Sequence, residues 1–337
     1  MSWRRGPLAL LCLALLLAAT AARAERIVFQ RGPSLLIANP DGSDTHELLS
    51  IGAGNPVLWA VSPDGRRLAW LKQSGETPTG LSAQPATAFL ADITGRRSKK
   101  LFVTNALRDR RGNAVTAIGS GDGPTPFSVW TPISLAFSAD GRTLYLSCAH
   151  TEPSGTLTTV AVDAATGYAL VDGAGRWKEI AAVGQIDAHG PLIAAVSAGR
   201  ASSVAEADAG YAPLTIVNLG DATTETVPST ASLAGGKPPY ESALTPAISP
   251  DGKAIAFAAA TGGIWLTDVA GKNLRRLVTS DAARPRWSAD GKTLFFLFPR
   301  PSINDRPAYD LYTVTPGAAA APQLRLQNVD WFDIVAD

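Results

Sequence analysis

Ser249-Pro-Asp-Gly-Lys-Ala-Ile-Ala-Phe257 decides the fold, because the same nine-residue phrase returns three more times. It reads Ser62-Pro-Asp-Gly-Arg-Arg-Leu-Ala-Trp70, then Ser138-Ala-Asp-Gly-Arg-Thr-Leu-Tyr-Leu146, then Ser288-Ala-Asp-Gly-Lys-Thr-Leu-Phe-Phe296. An apolar residue (Val61, Phe137, Ile248 or Trp287) precedes each Ser, and apolar residues follow each Gly at a fixed offset. That pattern is strand, tight turn, strand. The Asp carboxylate can bond nearby backbone N–H groups, and Gly takes the positive φ that a side chain resists. Asp64, Asp140, Asp251 and Asp290 are therefore read as structural turn residues. Hairpins of one design imply repeated modules.

The phrase resembles the Ser-Pro-Asp-Gly repeat of TolB-like β-propellers, a WD40-like family in which each four-stranded blade carries one copy. The resemblance covers nearly all of the chain beyond residue 24 and implies an all-β fold. Members of the TolB type join such a propeller to an N-terminal domain and work in the Tol-Pal envelope system. Here the first strand begins at about residue 27, so the resemblance is to the propeller alone. Propellers carry unrelated functions, so the fold does not assign an activity.

A second signal counts the blades. Third and fourth strands joined by short turns are read at Leu35 to Leu49, Ala88 to Phe102, Leu157 to Ile180, Leu214 to Val227, Ile264 to Val278 and Leu311 to Leu326. Six such pairs predict a six-bladed β-propeller. In the fourth blade Ile186-Asp-Ala-His-Gly-Pro-Leu-Ile-Ala194 keeps the frame, with His189 in place of the turn Asp. The first blade lacks an inner strand at the N-terminus, since Ile27-Val-Phe29 matches a second strand. Asn328 to Val335 alternates like an inner strand, so N- and C-terminal strands are expected to pair in one blade and remove the open edge.

Residues 1–24 have the form of a secretory signal peptide: Arg4 and Arg5, the apolar run Leu8 to Ala19, then Ala22-Arg23-Ala24 before Glu25. The run is short for a membrane span. The expected domains are thus a signal peptide at 1–24 and a propeller at 25–337, in a periplasmic or secreted protein, monomeric and without stable membrane insertion. Without the three arginines of the signal, 27 basic residues face 29 acidic ones. No basic field points to nucleic acid. Cys148 becomes the only cysteine, which excludes an intramolecular disulfide.

Propeller geometry sends the first-to-second and third-to-fourth turns to one face and the other connections to the opposite face. The long insertions, Lys72 to Thr87, Thr104 to Thr131, Ala149 to Thr156, Ala198 to Ala212, Ser229 to Ser242 and Phe298 to Ala308, fall on that second face. Binding is expected there, because long loops on a rigid scaffold carry function. The candidate partner-binding rim is Trp130, Tyr240, Glu241, Arg284, Arg108 and Arg306, aromatics and charges at a concave mouth.

Other chemistry is poorly supported. The histidines His46, His150 and His189 fall on separate elements, so no metal site is read. Cys148-Ala-His150 would need both side chains at the rim to react. There is no Gly-x-Ser-x-Gly elbow, and Gly119-Ser-Gly-Asp-Gly123 lacks the following Lys of a phosphate loop. Asp and Gly are adjacent in the repeat, unlike the sialidase Asp-box. The leading expectation is a non-catalytic exported propeller that binds a protein, peptide or envelope polymer. The alternative is a carbohydrate- or ester-processing enzyme in the central channel, using Glu241, Asp187 or Asp330. A calcium-dependent scaffold ranks third, and no cofactor is indicated.

Overall fold

The computed structural model describes residues 25–51, 58–73, 86–118, 124–126, 130–150, 157–170, 179–180, 185–196, 214–220, 223–226, 243–259, 262–303, 306–318 and 321–336. Among the described residues, strands form six four-stranded antiparallel sheets and one two-stranded ribbon, Thr116–Ile118 with Pro124–Pro126. Successive inner strands touch around a common axis, giving a six-bladed propeller. The inner strands of blades 2 to 6 are Trp59–Val61, Trp130–Phe137, Gln185–His189, Ala243–Ile248 and Ala283–Trp287. Blade 1 takes its inner strand from the far end of the chain. Trp331–Ala336 pairs with Glu25–Arg31, with Ile27 opposite Ile334 and Phe29 opposite Phe332.

The repeated turn has a definite chemistry. In each copy the Ser hydroxyl donates to the Asp carboxylate two residues on, at 2.5 Å for Ser62–Asp64 and 2.6 Å for Ser138–Asp140. The distances are 2.6 Å for Ser249–Asp251 and 2.7 Å for Ser288–Asp290. The same hydroxyl accepts the N–H of the residue five positions on, as from Ala254 at 2.9 Å and Thr293 at 2.8 Å. The Gly of each turn lies at φ between 66° and 70°. All four carboxyls are held below the ordinary value. For Asp140 and Asp251 the Ser hydroxyl is the largest cause, and for Asp290 it is the Lys292 N–H. At Asp64 burial pushes upward first and is outweighed by the bonds from Ser62 and Arg66 and the charges of Arg67 and Arg66.

Blade 4 departs from this design. Ala188 pairs with Ile193 and His189 with Leu192, so the hairpin closes through Gly190 and Pro191 and its strand runs on to His189. Asp187 pairs with Ala194 as Ala60 does with Ala69 and Ala247 with Ala256, so it stands where blades 2, 3 and 5 carry Ala, and His189 takes the place of the turn Ser.

The third-to-fourth turns bind blade to blade. Their carboxylates cap the turn backbone, as when Asp268 accepts the N–H groups of Ala270 at 3.1 Å and Lys272 at 2.7 Å. The turn then rests on the outer strand of the preceding blade. A Cβ on Gly95 would meet the Leu48 carbonyl at 2.3 Å, and one on Gly167 the Leu101 carbonyl at 2.6 Å. A Cβ on Gly42 would meet the Leu326 side chain at 2.9 Å, across the closure from blade 1 to blade 6. Glycine is required there by contact as well as by positive φ.

Two insertions read as loops have regular structure. Leu294–Ile303 and Arg306–Val314 run as one extended hairpin, with Ile303 opposite Arg306. The segment after Val103 turns to the outer flank of the ring. Leu107 and Val115 enter the core beneath blades 2 and 3, Asp109 bridges to Ala169, and Arg110 pairs with Asp163 at 3.0 Å.

Gly95→Ala is expected to destabilise the protein by about 3 kcal/mol, from roughly 1 kcal/mol of left-handed backbone strain and roughly 2 of overpacking against blade 1. Urea unfolding measures this, and a loss under about 1 kcal/mol would contradict the blade-contact role.

Candidate functional site in the central channel

The ring encloses a cavity of about 690 Å³ on its axis, within the usual range for ligand pockets. Its walls include Pro63, His189, Pro250 and Asp290, so it is reached from the face of the short first-to-second turns. A narrower void of about 40 Å³ lies toward the starts of the inner strands, lined by residues such as Ser134, Gln185, Thr245 and Trp331. Arg284 and Arg286 line both. Among the described residues, the void toward the inner-strand starts is the smaller of the two.

Backbone irregularity lies beside the smaller void. The inner strands of blades 5 and 6 slip register between Leu244 and Ala247 and between Ala283 and Arg286. Thr245 and Arg284, each followed by Pro, sit at φ 44° and 51°, a region costly for non-Gly residues. The slip puts the Arg284 side chain inside the wall, where it is 4% exposed. Its guanidinium lies 3.0 Å from the centroid of the Trp331 ring, and its Nε donates to the Phe332 carbonyl at 2.8 Å. Burial first and the charge of Arg286 second push its pKa down, opposed by Asp333 and Asp187.

Two departures from the repeat bring charge into the wide cavity. Two residues before the turn Ser, blades 2, 3 and 5 carry Ala60, Ala136 and Ala247; blade 6 carries Arg286. Arg286 pairs through Nε with Asp333 of blade 1 at 3.4 Å and donates to the Pro285 carbonyl at 2.9 Å. Asp187, which pairs with Ala194 and so holds that same inward position in blade 4, accepts the Ile248 N–H of blade 5 at 2.7 Å. Burial pushes its carboxyl above the ordinary value; Arg286 and the Ile248 bond pull against this, Asp333 adds to it and His189 opposes it. A carboxyl whose charged form burial disfavours, set beside an Arg-paired one, can donate or accept a hydrogen bond to a ligand when protonated, and in an enzyme could act as an acid.

No protein-family model and no curated protein sequence matches the chain. Among solved structures it is similar to TolB from Acinetobacter baumannii, with TM-score 0.59 and 16% identity over 96% of this chain and 71% of that one. It is also similar to a putative TolB from Agrobacterium tumefaciens, with TM-score 0.53 and 13% identity over 90% of both chains. The fold is that of the TolB propeller. At these identities the likeness to TolB concerns architecture and carries no residue roles.

Of the sequence-derived rim residues, Arg284 lines the channel, and it does so as a buried wall residue. Arg108 is on the outer flank with the 107–115 hairpin, where its guanidinium donates to the Gly112 carbonyl at 2.8 Å. Trp130 begins the inner strand of blade 3, opposite His150, and Arg306 begins a strand of blade 6. Tyr240, Glu241, residues 119–123 and the signal segment 1–24 lie outside the described residues. Asp330 is engaged at the start of the blade 1 inner strand, accepting the Gly32 N–H at 2.7 Å. Among the described residues no group of His, Cys, Asp and Glu is placed to hold a metal ion. Arg286 escaped sequence reading although its signal was present: it is the charged residue where the other repeats carry Ala. Cys148 is 0% exposed, and burial pushes its thiol well above the ordinary value, so it is a core residue of blade 3.

Two measurements follow from this geometry. Native protein should resist labelling by a thiol reagent until it unfolds; stoichiometric labelling under native conditions would contradict the packing of Cys148. For Asp187, the folded pKa lies above the unfolded one, so its stabilising contribution is full below about pH 4 and is lost as pH rises through the folded pKa. Asp187→Asn keeps an acceptor for Ile248 and abolishes the titration. Its Tm should gain on the native protein as pH rises above about 4, until the folded carboxyl has titrated; parallel melting curves from pH 4 upward would refute the shifted carboxyl.

Proposed function

We propose that this protein is an exported, non-catalytic propeller that binds a protein or peptide partner at its central channel. The single observation that carries the reading is the 690 Å³ axial cavity, whose charged groups arise where the structural repeat is broken. A purely structural ring would not need Arg286 and Asp187 at the inward position where blades 2, 3 and 5 carry Ala. The TolB-like architecture supports a binding scaffold by fold analogy only. Export rests on the signal-like segment 1–24. No helix among the described residues is long and apolar enough to cross a membrane.

The enzyme reading draws on Asp187 and Asp333 as carboxylates of unlike environment. The binding reading is preferred because both are engaged within the wall, Asp187 by the Ile248 N–H and Asp333 by Arg286 and its neighbour Ile334 N–H at 3.0 Å.

Affinity capture from envelope extract tests the proposal with three proteins of equal Tm: the native chain, Ala188→Trp to fill the cavity, and Trp130→Ala/Tyr240→Ala on the long-insertion side. A partner captured by the native chain and lost with Ala188→Trp is the expected result. Loss only with the second variant would move binding to the long-insertion face. Hydrolysis of a glycoside or ester panel abolished by Asp187→Asn would replace the proposal with the enzyme reading.

A further inference from the structure

Building on the binding reading above, we infer that the channel takes its ligand by a carboxylate, seated at Arg284 and the Trp331 indole N–H, with an apolar body in the wide cavity. Hydrogen-bond bookkeeping in the narrow void carries this. Its side-chain acceptors are engaged by backbone donors: Gln185 Oε1 accepts from Thr245 at 2.7 Å, Ser134 Oγ from Ile186 at 3.3 Å, and Thr245 Oγ1 from Arg284 at 3.1 Å. Its donors are left over. Trp331 Nε1 is buried with no hydrogen-bond partner among the described residues. Arg284 spends Nε on the Phe332 carbonyl and forms no ion pair among the described residues, although it is almost fully buried. Both residues line the 40 Å³ void, which is large enough for a small polar group.

A buried guanidinium without a carboxylate is costly, as is its backbone at φ 51°. Arg286 cannot serve as the missing partner, being cationic and already paired with Asp333 at 3.4 Å. A ligand carboxylate would satisfy the planar fork of Arg284 and the orphan indole N–H together, since an ionised carboxylate has only acceptors. The adjoining cavity offers Trp59, Leu135, Ile186 and Trp287 to an apolar group. The bond from Arg284 to Phe332 also joins blade 6 to blade 1, so the residue has a latching role as well. That role uses Nε and leaves the terminal nitrogens unaccounted for.

A carboxylate with an apolar body can be a small organic acid or the C-terminus of a peptide ending in an apolar residue. Calorimetric titration of the full chain distinguishes them, using hexanoate against hexanamide and acetyl-Ala-Leu against its C-terminal amide. At least one acid should bind, at least tenfold tighter than its amide; which acid binds tighter names the source. Arg284→Met should weaken the acid to the level of the amide. Asp333→Asn, which removes a competing carboxylate and frees Arg286, should tighten the acid at least threefold, and it decides the matter if the Arg284 variant does not fold. Equal binding of acid and amide, absence of any binding, or no gain with Asp333→Asn would overturn the inference. Equal binding would still leave the channel as a binding site, and the capture experiment judges that reading separately.

Discussion

The structure depends on one antiparallel pairing, between Glu25–Arg31 and Trp331–Ala336. A propeller blade exposes its inner strand to neighbours on both sides, and an unpaired blade would leave an open edge and a gap in the ring. Here the gap is closed by strands about three hundred residues apart in sequence, so the ring forms only when both ends of the chain have met. Phe29 and Phe332 face each other across the seam and are fully buried with Val329 and Leu297. Arg284 crosses to the Phe332 carbonyl from blade 6, and Asp330 fixes the Gly32 turn from blade 1.

Within the closed ring the turns have separate tasks. In the Ser-x-Asp-Gly turn hydroxyl, carboxylate and backbone N–H groups satisfy one another locally, and two copies add a bond from another blade, Arg67 to the Gly141 carbonyl and the Ala289 N–H to Glu25, each at 2.7 Å. The third-to-fourth turns set the spacing between blades, because Gly95, Gly167 and Gly42 bring backbone into contact with the outer strand of the blade before. A side chain there would force adjacent blades apart. Small inner residues at Ala60, Ala136 and Ala247 then leave room on the axis.

That room acquires chemistry where the repeat fails. Blade 4 gives up the Ser-Asp turn, and at the inward position where blades 2, 3 and 5 carry Ala it places Asp187, which bonds across to Ile248 of blade 5. Blade 6 puts Arg286 on the axis, and Asp333 of blade 1 answers it. The inner-strand bulges of blades 5 and 6 draw Arg284 into the wall beside the smaller void. Repeats conserve what every blade needs, so the residues that differ at a repeated position are the ones available for something else.

How much of this was legible beforehand follows from the range of each interaction. The repeated phrase determined the all-β fold and the turn role of Asp64, Asp140, Asp251 and Asp290, and the six third-and-fourth strand pairs the number of blades, because those interactions act within a few residues. Alternation in 328–335 was enough to place the closing strand. Tertiary structure alone decided the site. The Thr104 insertion turns outward because Leu107 and Val115 find apolar surface there, and this carries Arg108 away from the channel. Arg284 was legible as an inner-strand residue, yet whether it faced solvent or the wall depended on a register slip with no local signature beyond the following Pro. The charges of Asp187, Arg286 and Asp333 come from three blades, and only closure of the ring brings them to one cavity, where burial makes them interact strongly.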